Sequence, residues 1–105
     1  MAYSIVINLD YDSHPAETCQ FLWAEIKECM VAAGFHVDGR RFTINLPSDE
    51  ACTLARKVID SLEDHLEYHS KHIYKYMKDF YGFPAEQRTN LLLPPVSGIQ
   101  VEGAD

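Results

Sequence analysis

The sequence is poor in cysteine, in basic residues and in long apolar runs, and each shortage excludes a class of protein. Its three cysteines, Cys19, Cys29 and Cys52, show no Cys-x-x-Cys spacing, which argues against a disulfide framework and against a zinc knuckle. No segment approaches the roughly 18 consecutive apolar residues of a membrane span, and the N-terminus lacks the basic and apolar regions of a signal peptide. We therefore expect a cytoplasmic protein with reduced thiols and no membrane association.

Basic residues are scarce relative to acidic ones. Lys and Arg together number 9 against 16 Asp and Glu, for a net charge of -7 at pH 7. A field of this sign repels phosphate backbones and attracts cations, so tight, sequence-blind binding to nucleic acid is not expected. The chain also contains no Gly-rich phosphate loop, no Ser-His-Asp order and no nucleophilic cysteine motif. RNA binding would therefore require a local site whose charge differs from that of the whole molecule.

The first third of the chain predicts a strand and a helix. Residues 3–9 alternate, and one of the two sets changes from apolar to polar, which is typical of a strand that opens onto a site at its end. Pro15 favours a first helical turn, and Gly34 favours a left-handed cap at the end of the helix. The apolar positions of this helix recur at steps of three and four: Cys19, Leu22, Ile26, Cys29, Met30 and Ala33.

A hairpin and a second helix are predicted next. Asp38 and Gly39 stand between two β-prone runs and favour a tight turn. The second strand of the hairpin has an apolar face at Phe42, Ile44 and Leu46. Pro47 ends this strand, and Ser48 is typical of a residue that caps a helix. The second helix would bury a stripe made of Ala51, Leu54, Ala55, Val58, Leu62 and Leu66.

Residues 72–83 fit two structures. The spacing of Ile73, Tyr76 and Phe80 suits a helix, whereas the alternation and the Ile and Tyr content favour a strand. A second helix extended to Tyr81 would exceed about thirty residues, well above the usual length, so we predict a strand at about 73–79. If these residues are helical instead, residues 90–93 become the closing strand.

Proline and glycine interrupt the sequence from Pro84 onward, and this change of composition predicts a domain boundary. We expect one domain at 1–83 and a C-terminal arm at 84–105. The arm is too apolar for a purely solvated tail, which favours packing on its own domain or on a second copy, as in a homodimer. Its apolar residues are Leu91, Leu92, Leu93, Val96, Ile99 and Val101.

The end of the first strand carries a first group of candidate catalytic residues, Asp10, Asp12 and His14. Two carboxylates and an imidazole at a strand end can hold Mg²⁺ or Mn²⁺ at Asp10 and position a water molecule, because hard cations select oxygen ligands. The alternative is structural. Asp12 and Ser13 would then cap the following helix, and Asp10 would solvate the strand end.

A second group of candidate ligands lies near the end of the second helix and includes Asp64, His65, His69 and His72. On a continuous helix the three imidazoles share one face, and this spacing can hold Zn²⁺, Ni²⁺ or Cu²⁺. The alternative is that these histidines prolong the buried stripe and interact with the helix dipole without a metal.

Basic and aromatic residues offer two further candidate contacts with RNA. Arg40 and Arg41 could bind phosphate, although such a pair is more often a solvated strand face. Six aromatic side chains could stack on bases, although packing in the core or in a dimer is the commoner use. They are Tyr68, Tyr74, Tyr76, Phe80, Tyr81 and Phe83.

The order strand, helix, hairpin, helix, strand is typical of an α+β, ferredoxin-like βαββαβ sandwich with one antiparallel sheet and two helices. Over residues 3–83 the sequence also resembles the virulence-associated protein D (VapD) family. The resemblance is carried by residues 3–10 and 73–77 and by shorter matches at His14, Pro15, Ala33, Gly34, Phe35, Gly39, Phe42, Thr43, Asp79 and Phe80.

The resemblance implies a homodimeric mRNA endonuclease related in fold to the small CRISPR-associated nucleases, with an acidic residue near the end of the first strand. In that family an Asp stands where this chain has Asn8, and Asp10 matches the strand-end position of the CRISPR-associated relatives. The leading hypothesis is a metal-assisted endoribonuclease that uses Asp10, helped by Asp12 or His14. The alternatives are a non-catalytic metal-binding or regulatory module and a scaffold that dimerises through its arm.

Overall fold

A computed structural model describes residues 2–66 and 73–87 of the chain. The elements are β1 (Tyr3–Leu9), α1 (Ala16–Ala32), β2 (His36–Asp38), β3 (Arg41–Ile44), α2 (Ser48–Leu66) and β4 (Met77–Pro84), with short 3₁₀ helices at Ile73–Tyr76 and Ala85–Gln87. The strands form one sheet in the order β2-β3-β1-β4, and all neighbours are antiparallel. The predicted α+β class, with two helices and an antiparallel sheet, is confirmed, and the arrangement is compatible with a ferredoxin-like fold.

β1 is a central strand, and its alternation separates the two faces of the sheet. Ile5, Ile7 and Leu9 are buried and belong to one hydrophobic cluster with residues of both helices. Both helices therefore cover the same face of the sheet. Ser4 and Asn8 point to the opposite face, because successive side chains on a strand alternate.

The helices bury part of the stripes that apolar periodicity predicts, with one addition, while Cys29 and Ala33 are only partly buried. The buried residues are Cys19, Leu22, Ile26 and Met30 on α1 and Ala51, Ala55, Ile59 and Leu62 on α2. Ile59 is the addition, and Leu54, Val58 and Leu66 are partly buried around it. Gly34 follows α1 with a φ of 111°, which supplies the left-handed conformation that the sequence predicts there.

The last strand is present, but its predicted position is wrong. We expected a strand at 73–79, whereas Ile73–Tyr76 is a 3₁₀ helix and β4 runs over Met77–Pro84. Ile73 and Tyr76 are both buried, and a spacing of three residues places both on one side of a 3₁₀ helix. Within β4, Gly82 lies opposite Ile5, and the absence of a side chain lets the strands pair without a clash with the Tyr3 ring.

The division into a domain at 1–83 and an arm at 84–105 stays a prediction, and the first residues of the predicted arm continue the sheet. Pro84 is the last residue of β4, and the Ala85 N–H donates a hydrogen bond to the Ala2 carbonyl at 3.1 Å. Residues 88–105, which make up most of the predicted arm and include the alternative strand at 90–93, lie outside the described residues. Dimerisation through the arm stays a prediction. Among the residues that the structure describes, no helix is long and apolar enough to cross a membrane.

Candidate functional site

Asp10 leaves the sheet as soon as β1 ends. The pairing of β1 with β4 shifts register between Asn8 and Leu9, and the Asp10 N–H donates to the Tyr76 carbonyl at 2.8 Å. The Asp10 carboxylate then accepts a hydrogen bond from the Ser13 N–H at 3.2 Å. The Ser13 side chain is the main cause that lowers the pKa of Asp10, so this carboxylate is ionised at neutral pH. The Asp10 side chain therefore stabilises the loop that follows β1.

His14 is directed at the 3₁₀ helix that precedes β4. Its Nε2 lies 3.0 Å from the Lys75 carbonyl oxygen, and its ring centroid lies 4.3 Å from that of Tyr76. A carbonyl only accepts, so Nε2 carries the proton in this contact. His14 thus links the loop after β1 to the 3₁₀ helix Ile73–Tyr76.

Asp12 is exposed, and the loop supplies no side-chain cap to the next helix. α1 begins at Ala16 after Pro15, and no side chain makes a capping hydrogen bond there. The proposed capping by Asp12 and Ser13 is therefore wrong. Within residues 2–66 and 73–87 no group of three or more His, Cys, Asp or Glu side chains is placed to hold a metal. A metal at Asp10 stays a prediction.

The histidine cluster falls largely outside the described part of the chain. His65 is exposed and lies in the last turn of α2, which ends at Leu66. His69 and His72 lie among residues 67–72, outside the described ranges. The predicted Zn²⁺ or Ni²⁺ site stays a prediction.

Arg40 and Arg41 point to opposite faces of the sheet. The Arg40 carbonyl accepts a hydrogen bond from the Ile7 N–H, and the Arg40 guanidinium lies 5.3 Å from the ring centroid of Trp23 and 5.8 Å from that of Tyr11. Arg41 pairs with Val6 on the other face. Since the two side chains diverge, any phosphate contact would involve one of them at a time.

The face of the sheet away from α1 and α2 carries the polar and aromatic partners of β1. The strand pairings place Ser4 beside Thr43, Val6 beside Arg41, and Asn8 beside Asp79. We call this surface the open sheet face, since no helix of the described ranges covers it. It consists of Ser4, Val6, Asn8, His36, Asp38, Arg41, Thr43, Asp79, Tyr81 and Phe83.

Asn8 and Asp79 form a polar pair at one end of the open sheet face. Both side chains are half-buried, and the Asn8 Nδ2 donates to the Asp79 Oδ2 at 3.2 Å. Asp79 is the acidic residue that sequence reasoning missed. It stood at the end of a segment whose structure was ambiguous, and only the register of β4 against β1 shows that it lies opposite Asn8.

Arg41 occupies the middle of the open sheet face. Its Nη2 lies 3.3 Å from the Asp38 Oδ2 in an ion pair. Its Nε is buried, and no hydrogen-bond partner for it is found within the described ranges. A buried N–H without a partner is energetically costly, so a ligand on this face could satisfy it.

Aromatic rings occupy the β4 side of the same face. The side chain of Tyr81 is 54% exposed, and its ring centroid lies 6.4 Å from that of Phe83. Residues two apart on a strand share a face, so the two rings form a small platform. Not every residue of this face is accessible to solvent. Ser4 is only 1% exposed, and its hydroxyl lies 3.1 Å from the Thr43 hydroxyl.

Comparisons of the chain with family models, with curated proteins and with solved structures give no match. The resemblance to the VapD family consequently rests on the residue patterns of the sequence.

Proposed function

We propose that this protein is a divalent-metal-assisted endoribonuclease with a ferredoxin-like βαββαβ fold, that it acts as a homodimer, and that Asn8 and Asp79 form its metal-binding site. The pairing of these two side chains is the observation that carries the proposal. In the VapD family the position of Asn8 is an Asp, and here a carboxylate stands on the adjacent strand, 3.2 Å from the Asn8 amide nitrogen. A carboxylate therefore lies beside the Asn8 position, on the neighbouring strand β4.

The donor atoms suit a hard cation. Mg²⁺ keeps several of its waters and binds through one or two carboxylates together with phosphates of the substrate. Asp79 offers a carboxylate, and the Asn8 amide would offer its oxygen to the same cation after a rotation that replaces the hydrogen bond from Nδ2. When bound, such a metal polarises the phosphoryl group and lowers the pKa of a coordinated water. Asp10, which is ionised and follows β1, is a second possible ligand.

The open sheet face offers contacts for a single RNA strand. Four-stranded sheets of RNA-binding proteins stack bases on exposed aromatic rings, and Tyr81 and Phe83 provide such rings here. The Arg41 guanidinium lies on the same face and can donate to a phosphate. Because the net charge of -7 opposes phosphate binding, stacking and the metal would supply most of the affinity.

The experiment compares Asp79→Asn with a matched control, Glu28→Gln, which changes an exposed carboxylate of α1 to an amide. Single-stranded RNA is incubated with each purified protein in Mn²⁺, in Mg²⁺ or in EDTA. We expect metal-dependent cleavage by the wild type and by Glu28→Gln, and a loss on the order of 100-fold in Asp79→Asn, which removes the charge that holds the metal. Intact RNA with the wild type, or full cleavage by a folded Asp79→Asn, rejects the proposal.

A second candidate is a non-catalytic dimeric module in which a second copy covers the open sheet face. The exposure of Tyr81 beside Phe83 favours it, because exposed aromatic residues are enriched in protein interfaces. The variant Tyr81→Ser separates the two functions. A sedimenting mass that falls from dimer to monomer, with no RNA cleavage by the wild type, supports the module. An unchanged mass with weaker RNA binding supports the nuclease.

A further inference from the structure

A cavity lies between α2 and β4 on the helix side of the sheet, away from the Asn8 and Asp79 pair. Its volume is about 200 Å³. Ile5, Ala55 and Phe80 form its apolar wall. The other lining residues are Tyr81 and Gly82 of β4 and Cys52 and Arg56 of α2. None of these residues belongs to the predicted metal or catalytic groups.

The small side chain of Ala55 leaves the space open, because α2 presents only a methyl group there. The position of a side chain at Gly82 is instead filled by the side chains of Tyr3 and Ile5. An apolar cavity of about 150 Å³ is enough to hold a benzene ring. The volume of this cavity therefore suits one aromatic ring with a short substituent, and it is smaller than the roughly 300–1,000 Å³ of pockets that bind drug-sized ligands.

The positive charge at the edge of the cavity favours an anionic ligand. Of its described lining residues, Arg56 is the only charged one. No ion pair with a carboxylate of the described residues engages Arg56. Asp60, one turn further along α2, instead accepts a hydrogen bond from the Tyr74 hydroxyl at 2.8 Å. Arg56 is exposed and its charge acts on Tyr74, but its several N–H donors at the edge of the apolar space can still bind an acidic ligand.

One guanidinium matches a carboxylate better than a phosphate. Its planar N–H pair binds the two oxygens of a carboxylate in parallel, whereas a phosphate dianion would bring a second charge with no second cation among the described lining residues. We propose that this cavity binds a small aromatic carboxylate, with the ring between Ala55 and Phe80 and the carboxylate on Arg56.

Phenylacetate is the probe, and phenylacetamide is its uncharged control of the same shape. Each is titrated into the full-length ¹⁵N-labelled protein while backbone amide shifts are followed by NMR. The protein variants are Arg56→Gln and a matched control, Lys57→Gln, which removes a positive charge from the next residue, outside the lining of this cavity.

We expect saturable shifts at Ala55 and Gly82 with phenylacetate, affinity at least about 10-fold lower for phenylacetamide, and a similar loss in Arg56→Gln but not in Lys57→Gln. Absence of saturable shifts up to about 10 mM overturns the proposal. Equal affinity for the amide, or unchanged affinity in a folded Arg56→Gln, overturns it as well. Because neither RNA nor a metal enters the experiment, its result is independent of the proposed nuclease function.

Discussion

The Asn8 amide donates a hydrogen bond to the Asp79 carboxylate across β1 and β4, which joins two residues that lie 71 positions apart in the sequence. The bond links the central strand to its neighbour at the end where β1 leaves the sheet. It also brings an acidic side chain beside the position that the VapD resemblance marks as functional. The stability of this pair and its response to metal can both be measured.

Replacing Asn8 with Asp should destabilise the protein and make its stability depend on metal. Two carboxylates would then stand opposite each other on neighbouring strands, and like charges at such positions cost about 0.2–1 kcal/mol. Thermal unfolding at pH 7 should show the loss, and Mn²⁺ should reverse it by binding between the two oxygens. The double variant Asn8→Asp, Asp79→Asn exchanges the pair and should recover the wild-type stability. If Asn8→Asp is as stable as the wild type and insensitive to Mn²⁺, the assignment of a metal site here is wrong.

Removing His14 should loosen the contact between the loop after β1 and the 3₁₀ helix Ile73–Tyr76. His14 bonds to the Lys75 carbonyl and packs on the Tyr76 ring, so His14→Ala should lower the free energy of unfolding by about 1 kcal/mol. Urea denaturation measures this. The control His36→Ala changes an exposed residue of β2 and should stay within about 0.5 kcal/mol of the wild type. Equal effects of the two variants would contradict the role of His14.

The Tyr74 hydroxyl should make stability fall at alkaline pH. Burial, and then the hydrogen bond to Asp60, raise the pKa of Tyr74 from 10.0 to about 12. The unfolded chain loses this proton first, so the contribution of Tyr74 is complete below pH 10.0 and is lost as the pH rises toward 12. The difference in unfolding free energy between wild type and Tyr74→Phe should therefore shrink over this range. Tyr81→Phe is the control, and a difference that stays constant with pH would refute the interpretation.

A side chain at Gly82 should disturb the pairing of β4 with β1. A Cβ atom there would lie 2.5 Å from the Tyr3 ring and 3.1 Å from the Ile5 side chain. Gly82→Ala should therefore cost about 1–3 kcal/mol, the usual range for overpacking, as measured by urea denaturation.

Trimming the ring that the new methyl group meets supplies the control for this variant. Tyr3→Leu alone sets the reference, and Gly82→Ala should cost less in that background than in the wild type. An equal cost in both backgrounds would show that the ring is not the obstacle.

The sequence was sufficient for the elements whose signals are local. The steps of three and four in α1 and α2, the Asp-Gly turn before β3 and the alternation in β1 each depend on neighbouring residues, and they predict those elements close to their observed positions. The start of β4 could not be read in this way. Ile73 and Tyr76 suit a helix and a strand almost equally, and burial against the core selects the 3₁₀ turn.

The features of the candidate site also fall into those that are local in the sequence and those that depend on the tertiary structure. By itself the sequence determined the fold class and marked the end of β1 as acidic, because chain periodicity and residue type are enough for both. Only the tertiary structure decided that Asp10 turns into its own loop, that Asp79 faces Asn8, and that α2 and β4 border a half-open cavity beside Arg56. These relationships depend on the register between strands distant in sequence, and register is set by how the buried side chains of the whole domain pack together.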